Sequence, residues 1–151
     1  MKDLLHELLA YRNGELTWKV RRSNGVQVGD SAGCLNHDGR IYVKVHGNRY
    51  SRHRLVWVMH YGNIPKGITI DHIDRDKSND RIENLRLATD SQNKHNVDAR
   101  GYCWHKPMGK WRAKITDQGE TIHLGYFDCQ IDARAEYLRA KRKVAGEFAP
   151  V

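Results

Sequence analysis

A chain of 151 residues with 26 Lys and Arg against 18 Asp and Glu has room for one ordinary domain or two small ones, and its net charge of +8 points to an anionic partner, nucleic acid being the commonest. No run approaches the roughly 18–20 apolar residues of a membrane span. Cys34, Cys103 and Cys129 lie far apart and form no CxxC pair, which argues against a structural zinc and fits unpaired thiols in a reducing compartment.

The first ten residues predict a short amphipathic helix, with Leu4, Leu5, Leu8 and Leu9 on one face; Asp3, His6 and Glu7 interrupt it too often for a secretory leader. Strands are expected over 15–20, 40–45 and 49–51, the last two joined by a hairpin at His46-Gly47-Asn48. Residues 55–59 read as a buried helix that stops at Tyr61-Gly62, before Pro65. Residues 68–70 form a short strand leading into Asp71-His72, followed by a polar loop over 74–80. Residues 85–88 alternate as a second strand. Thr89-Asp90-Ser91-Gln92 spells a capping box and opens a helix through Asn93 and Asn96.

A boundary is expected at Asp98-Ala99, dividing the chain into 1–98 and 99–151, between which the positive excess is shared equally. The tail predicts strands over 101–106, 110–116 and 121–126, with turns at Pro107-Met108-Gly109 and Gln118-Gly119. Asp128 is placed to cap a helix over 130–145, with Ile131, Ala135 and Leu138 facing the sheet and Gly146 as its stop. Arg100, Lys106, Lys110, Arg112 and Lys114 fall in a stretch without an acid. Lys110, Arg112 and Lys114 share one face of their strand, with Trp111, Ala113 and Ile115 on the other.

Phosphodiester hydrolysis needs a base to activate water and a cation to stabilise charge on the phosphate. Asp71-His72 sets a carboxylate beside an imidazole, and a sharp bend after the strand would let both converge. Asn84 follows His72 by twelve residues, and Asn93 follows by nine more. This pattern, with His53-Arg54-Leu55-Val56-Trp57 and the Gly62 to Pro65 step upstream, resembles the HNH homing endonucleases of phage and intron origin over residues 15–98. The resemblance implies an α+β protein with a ββα-metal core behind an N-terminal β-hairpin region. It implies His72 as general base, Asn84 as the lock that orients it, and one divalent metal, Mg²⁺ or another such as Mn²⁺, on Asp71 and Asn93. A turn asparagine would read the same way at Asn84, and His53 reads as a packing residue with a catalytic role as the alternative.

The tail, through Gly101-Tyr102, Trp111-Arg112-Ala113, Leu124-Gly125-Tyr126-Phe127 and Gly146-Glu147-Phe148-Ala149, resembles an AP-two/ERF-type DNA-binding domain. That implies a small three-stranded antiparallel sheet packed on one helix, with Arg100, Lys106, His105, Lys110, Arg112 and Lys114 toward duplex DNA. Cys103 and His105 depart from that family's usual arginines, so base preference does not carry over. The expected whole is a site-specific DNA endonuclease acting in the cytoplasm of a bacterium or phage-infected cell, as monomer or homodimer, with no membrane association and no small-molecule cofactor. The alternatives are a DNA-binding regulator with an inactive nuclease fold and an RNA-binding module.

Overall fold

A computed structural model describes residues 1–23 and 25–148, with Glu147 described by its backbone alone; Ala149, part of the AP-two/ERF resemblance, lies outside the described residues. The chain is α+β and divides into two compact units, Met1–Ala88 and Thr89–Val151.

In the first unit, α1 (Lys2–Leu8) leads into β1 (Leu9–Arg12), which pairs antiparallel with β2 (Glu15–Trp18). Sequence reading misses β1, although Asn13-Gly14 between the two strands is a strong hairpin signal: both residues take positive φ, as a two-residue turn between twisted strands requires. β3 (Cys34–Leu35), β4 (Ile41–Val45) and β5 (Asn48–Ser51) form a second antiparallel sheet in chain order. β4 turns Val43 and Val45 inward and Lys44 outward, the alternation of a half-buried strand. α2 (Arg52–Tyr61) follows at once and ends at Gly62, as expected. β6 (Thr69–His72) and β7 (Leu85–Ala88) make a two-stranded ladder. Leu5, Leu9, Leu16, Val43 and Val56 lie at the centre of a core that also takes Leu55, Met59, Ile70 and Leu85 from α2, β6 and β7.

In the second unit, Thr89 caps α3 (Asp90–His95) with the expected reciprocal box: its hydroxyl accepts from the Gln92 amide, and the Gln92 side chain accepts from the Thr89 amide. α3 ends before Asn96. β8 (Tyr102–His105), β9 (Lys110–Asp117) and β10 (Glu120–Phe127) form an antiparallel sheet with β9 central, and α4 (Gln130–Ala145) packs on β9 and β10. The division falls ten residues before the sequence boundary. α3 and the segment after it are tied to this unit by His95 to Asp117, by Lys141 to the Val97 carbonyl, and by Arg134 to Asp98 and to the carbonyls of Ala99 and Arg100.

Two expectations for α4 are corrected. Its cap is Cys129, whose Sγ accepts from the Asp132 amide; Asp128 instead pairs with Lys110 at 3.1 Å. Its buried stripe is Ala133, Tyr137 and Lys141, while Ile131 is exposed. The reason is steric. Gly101 has a φ of +74°, and a Cβ there would sit 2.1 Å from the Tyr137 ring, so the aromatic ring lies directly on a backbone without a side chain.

Candidate active site

Asp71 and His72 stand at the end of β6, and both remain inside the ladder, opposite Arg86 and Leu85. The turn comes after the pair, at residues 73–74, where the Arg75 amide donates to the His72 carbonyl at 3.0 Å, and pairing with β7 keeps Asp71 and His72 themselves extended, so the turn does not bring their side chains together. Adjacent residues of a strand point to opposite faces, so the two side chains have separate surroundings. Asp71 shares a face with Arg86, whose Nε and Nη2 donate to its Oδ2 at 3.0 and 2.9 Å.

His72 turns toward α2 and the returning loop. Its Nε2 is 2.8 Å from Oδ1 of Asp80, and the other oxygen, Oδ2, accepts from Arg52 Nε at 2.7 Å. Arg52 Nη2 also donates to the Ser78 carbonyl at 2.9 Å. All three side chains are buried, Asp80 to 1% exposure. A carboxylate held by a guanidinium on one side and an imidazole on the other satisfies charges that burial would otherwise penalise. His53, one residue after Arg52, packs edge-on against His72 with ring centroids 5.0 Å apart, and its Nε2 lies 3.4 Å from Ser51 Oγ. Ligand atoms of His53, His72 and Asp80 lie within 4.8 Å of one another.

Burial holds the His53 imidazole neutral, with the nearby His72 adding to the effect, and its pKa falls from 6.5 to about 4. Between those values the unfolded chain binds the extra proton, so stability from neutral His53 is complete above about pH 6.5 and is lost as pH falls toward 4. We expect urea unfolding to show a loss of about 3 kcal/mol across that window. His53→Gln should flatten the slope; an unchanged slope would refute this origin.

Asn84 closes the loop between β6 and β7. Its Nδ2 donates to Asp74 Oδ1 and to the Asn79 carbonyl at 2.9 and 2.8 Å, and its Oδ1 accepts from the Asp74 amide at 3.1 Å. Burial raises the Asp74 carboxyl, but hydrogen bonds from Asn79, Asn84 and the Asp76 amide outweigh it and leave it below its ordinary value. Asn93 lies on α3, in the second unit. Asp71, His72 and Asn84 lie on or beside the β6–β7 ladder, and the buried cluster around His72 is completed by Asp80 and Arg52, which no local pattern singles out.

In the second unit, Lys110, Arg112 and Lys114 share the face of β9 away from the Ala113 and Ile115 core positions. The register sets His105 opposite Lys110, Cys103 and Tyr126 on either side of Arg112, and His123 opposite Lys114. Tyr126 stacks obliquely with His105 and His123, at 5.0 and 4.7 Å between centroids. Arg100 and Lys106 are exposed outside the strands. Simple alternation does not set His123 and Tyr126 on one face, because they are an odd number of residues apart; a bulge between His123 and Gly125 shifts the register and brings them together.

The family model for HNH endonucleases matches residues 50–95, which contain His53, Asp71, His72, Asp80, Asn84 and Asn93. Protein 3.8 of Escherichia phage T7 is 35% identical over 106 residues, spanning 65% of this chain and 87% of that protein. The uncharacterized HNH endonuclease L560 of Acanthamoeba polyphaga mimivirus is 31% identical over 103 residues, spanning 64% of this chain and 54% of that protein, so the chain covers about half its length. A solved structure described as DNA binding and cleavage by the HNH homing endonuclease I-HmuI aligns with a TM-score of 0.45 and 23% identity, over 59% of this chain and 51% of that one. The chain carries an HNH endonuclease domain at residues 50–95.

Proposed function

We propose that this protein is a divalent-metal-dependent endonuclease that hydrolyses phosphodiester bonds of duplex DNA. The observation that carries the reading is the buried His72–Asp80 pair within the HNH segment. A carboxylate accepting from Nε2–H selects the tautomer in which Nδ1 is the basic nitrogen and fixes the ring's direction. His72 is then the general base toward water, Asp80 its orienting partner, and Asn84 the residue that closes the loop between them.

A bound divalent cation would stabilise the charge developing on the scissile phosphate and the leaving oxygen. Asp71 and Asn93 would hold it, as the family resemblance implies, and oxygen donors of this kind suit Mg²⁺ or Mn²⁺. The buried carboxylate of Asp71 fits such an ion provided that Arg86 yields a share of Oδ2. The second unit is proposed to bind duplex DNA in the manner of the AP-two/ERF domain it resembles, through Arg100, His105, Lys106, Lys110, Arg112 and Lys114, giving a site-specific, homing-type enzyme. The phage relative supports action in the cytoplasm of an infected bacterium. One active site per chain nicks as a monomer and cuts both strands as a homodimer.

A second reading, a DNA-binding regulator with an inactive nuclease fold, is favoured by the Arg86–Asp71 ion pair, which puts a guanidinium on the carboxylate that a cation would need. Supercoiled plasmid distinguishes the two. The nuclease converts it to nicked or linear DNA with Mg²⁺ or Mn²⁺ and not with EDTA. Salt-dependent duplex binding without conversion under any divalent ion supports the regulator.

A further inference from the structure

The loop that carries Asp80 has no ladder of its own. Residues 74–79 are held by local bonds among Asp74, Asp76, Ser78 and Asn79, by Asn84 on Asp74 and the Asn79 carbonyl, and by Arg52 on the Ser78 carbonyl, and regular structure resumes only with a single 3-10 turn at Ile82–Asn84. Past the Asp80 amide, which donates to the Ser78 carbonyl at 3.2 Å, groups outside the loop must fix the backbone. Two groups on the β1–β2 hairpin are placed to do so. Gly14, buried at the hairpin tip with φ +89°, lies against the Asp80–Arg81 peptide so closely that a Cβ would stand 2.7 Å from the Arg81 nitrogen and 3.0 Å from the Asp80 carbonyl carbon. Three positions back, the Tyr11 hydroxyl accepts from the Ile82 amide at 3.0 Å.

The hairpin is itself anchored. Leu9 and Leu16 are buried in the core, and the Tyr11 ring meets His60 of α2 edge-on at 4.6 Å. That same helix carries Arg52, the cation on Asp80. The hairpin thus holds the backbone of the 80–82 segment, and α2 holds its carboxylate.

We infer that the amino-terminal hairpin braces the catalytic centre, with Tyr11 and Gly14 as positioning residues that hold Asp80 against His72. The inference rests on the reading of His72 as general base. Neither residue touches substrate; each acts through Asp80 on the direction of the His72 ring. A misplacement of about 1 Å in such a group costs up to about a hundredfold in rate.

The test uses the full chain with Tyr11→Phe, Gly14→Ala and the hairpin control Arg12→Ala. Plasmid nicking yields kcat and KM, and ¹⁵N spectra of the histidine ring nitrogens report the His72 tautomer at fixed pH. Tyr11→Phe should lower kcat about tenfold and Gly14→Ala further, with KM within about twofold of wild type and the His72 ring resonances displaced. Arg12→Ala should change neither. A Tyr11→Phe protein with lower melting temperature but wild-type kcat and ring resonances would overturn the inference, leaving the hairpin a structural role only. If the wild type cuts nothing, the nuclease reading fails, and the ring resonances still decide the brace: displacement in Tyr11→Phe supports it and an unmoved tautomer refutes it.

Discussion

His72→Ala is expected to reduce metal-dependent plasmid cleavage by about two to four orders of magnitude, the usual range for losing a positioned general base. The side chain is buried between His53 and Asp80 and reaches the Asp80 carboxylate at 2.8 Å, so no other imidazole can take its place without moving α2 or the loop. Duplex affinity, measured by gel shift at fixed salt, should stay within about threefold, because the proposed phosphate-binding cations lie on other residues. Asp80 and Arg52 keep each other as partners in the variant, so the fold should survive. Cleavage by His72→Ala at the wild-type rate would remove the role assigned to this residue.

The largest stability effect is expected at Asp80. Its carboxylate is 1% exposed and accepts from Arg52 at 2.7 Å and His72 at 2.8 Å. Asp80→Ala leaves the Arg52 guanidinium buried with its carboxylate gone, a change that typically costs about 3–5 kcal/mol. Asp80→Asn keeps the shape and one acceptor oxygen, and should cost about 1–3 kcal/mol. Replacing both partners, as Arg52→Met with Asp80→Leu, should recover part of the loss, because no unpaired charge then remains. Urea unfolding of the four proteins tests the order. Equal stability of Asp80→Ala and wild type would show that the pair adds nothing.

Local signals were the legible part of this fold. The capping box at Thr89, the stop at Gly62, the β4–β5 hairpin and the three strands of the second unit each depend on residues within a few positions of one another, so spacing alone reveals them. The α4 stripe shows where that limit lies. Ile131, Ala135 and Leu138 have the period of a buried face, but so do Ala133, Tyr137 and Lys141. Only the fit of the Tyr137 ring on Gly101 decides between them.

The opening residues of the site follow the same division. The sequence by itself determined that a carboxylate and an imidazole stand side by side at a strand end, followed at set distances by Asn84 and Asn93, and that the chain carries excess positive charge in both halves. Only the tertiary structure decided which acid serves His72. Asp74, Asp76 and Asp80 look alike in a polar loop, and their differences arise when the loop folds back, burying Asp80 against Arg52 from 28 residues upstream and leaving Asp74 and Asp76 exposed. Desolvation makes a pairing strong or weak, and desolvation is set by segments distant in the chain, so no local pattern could have distinguished the three.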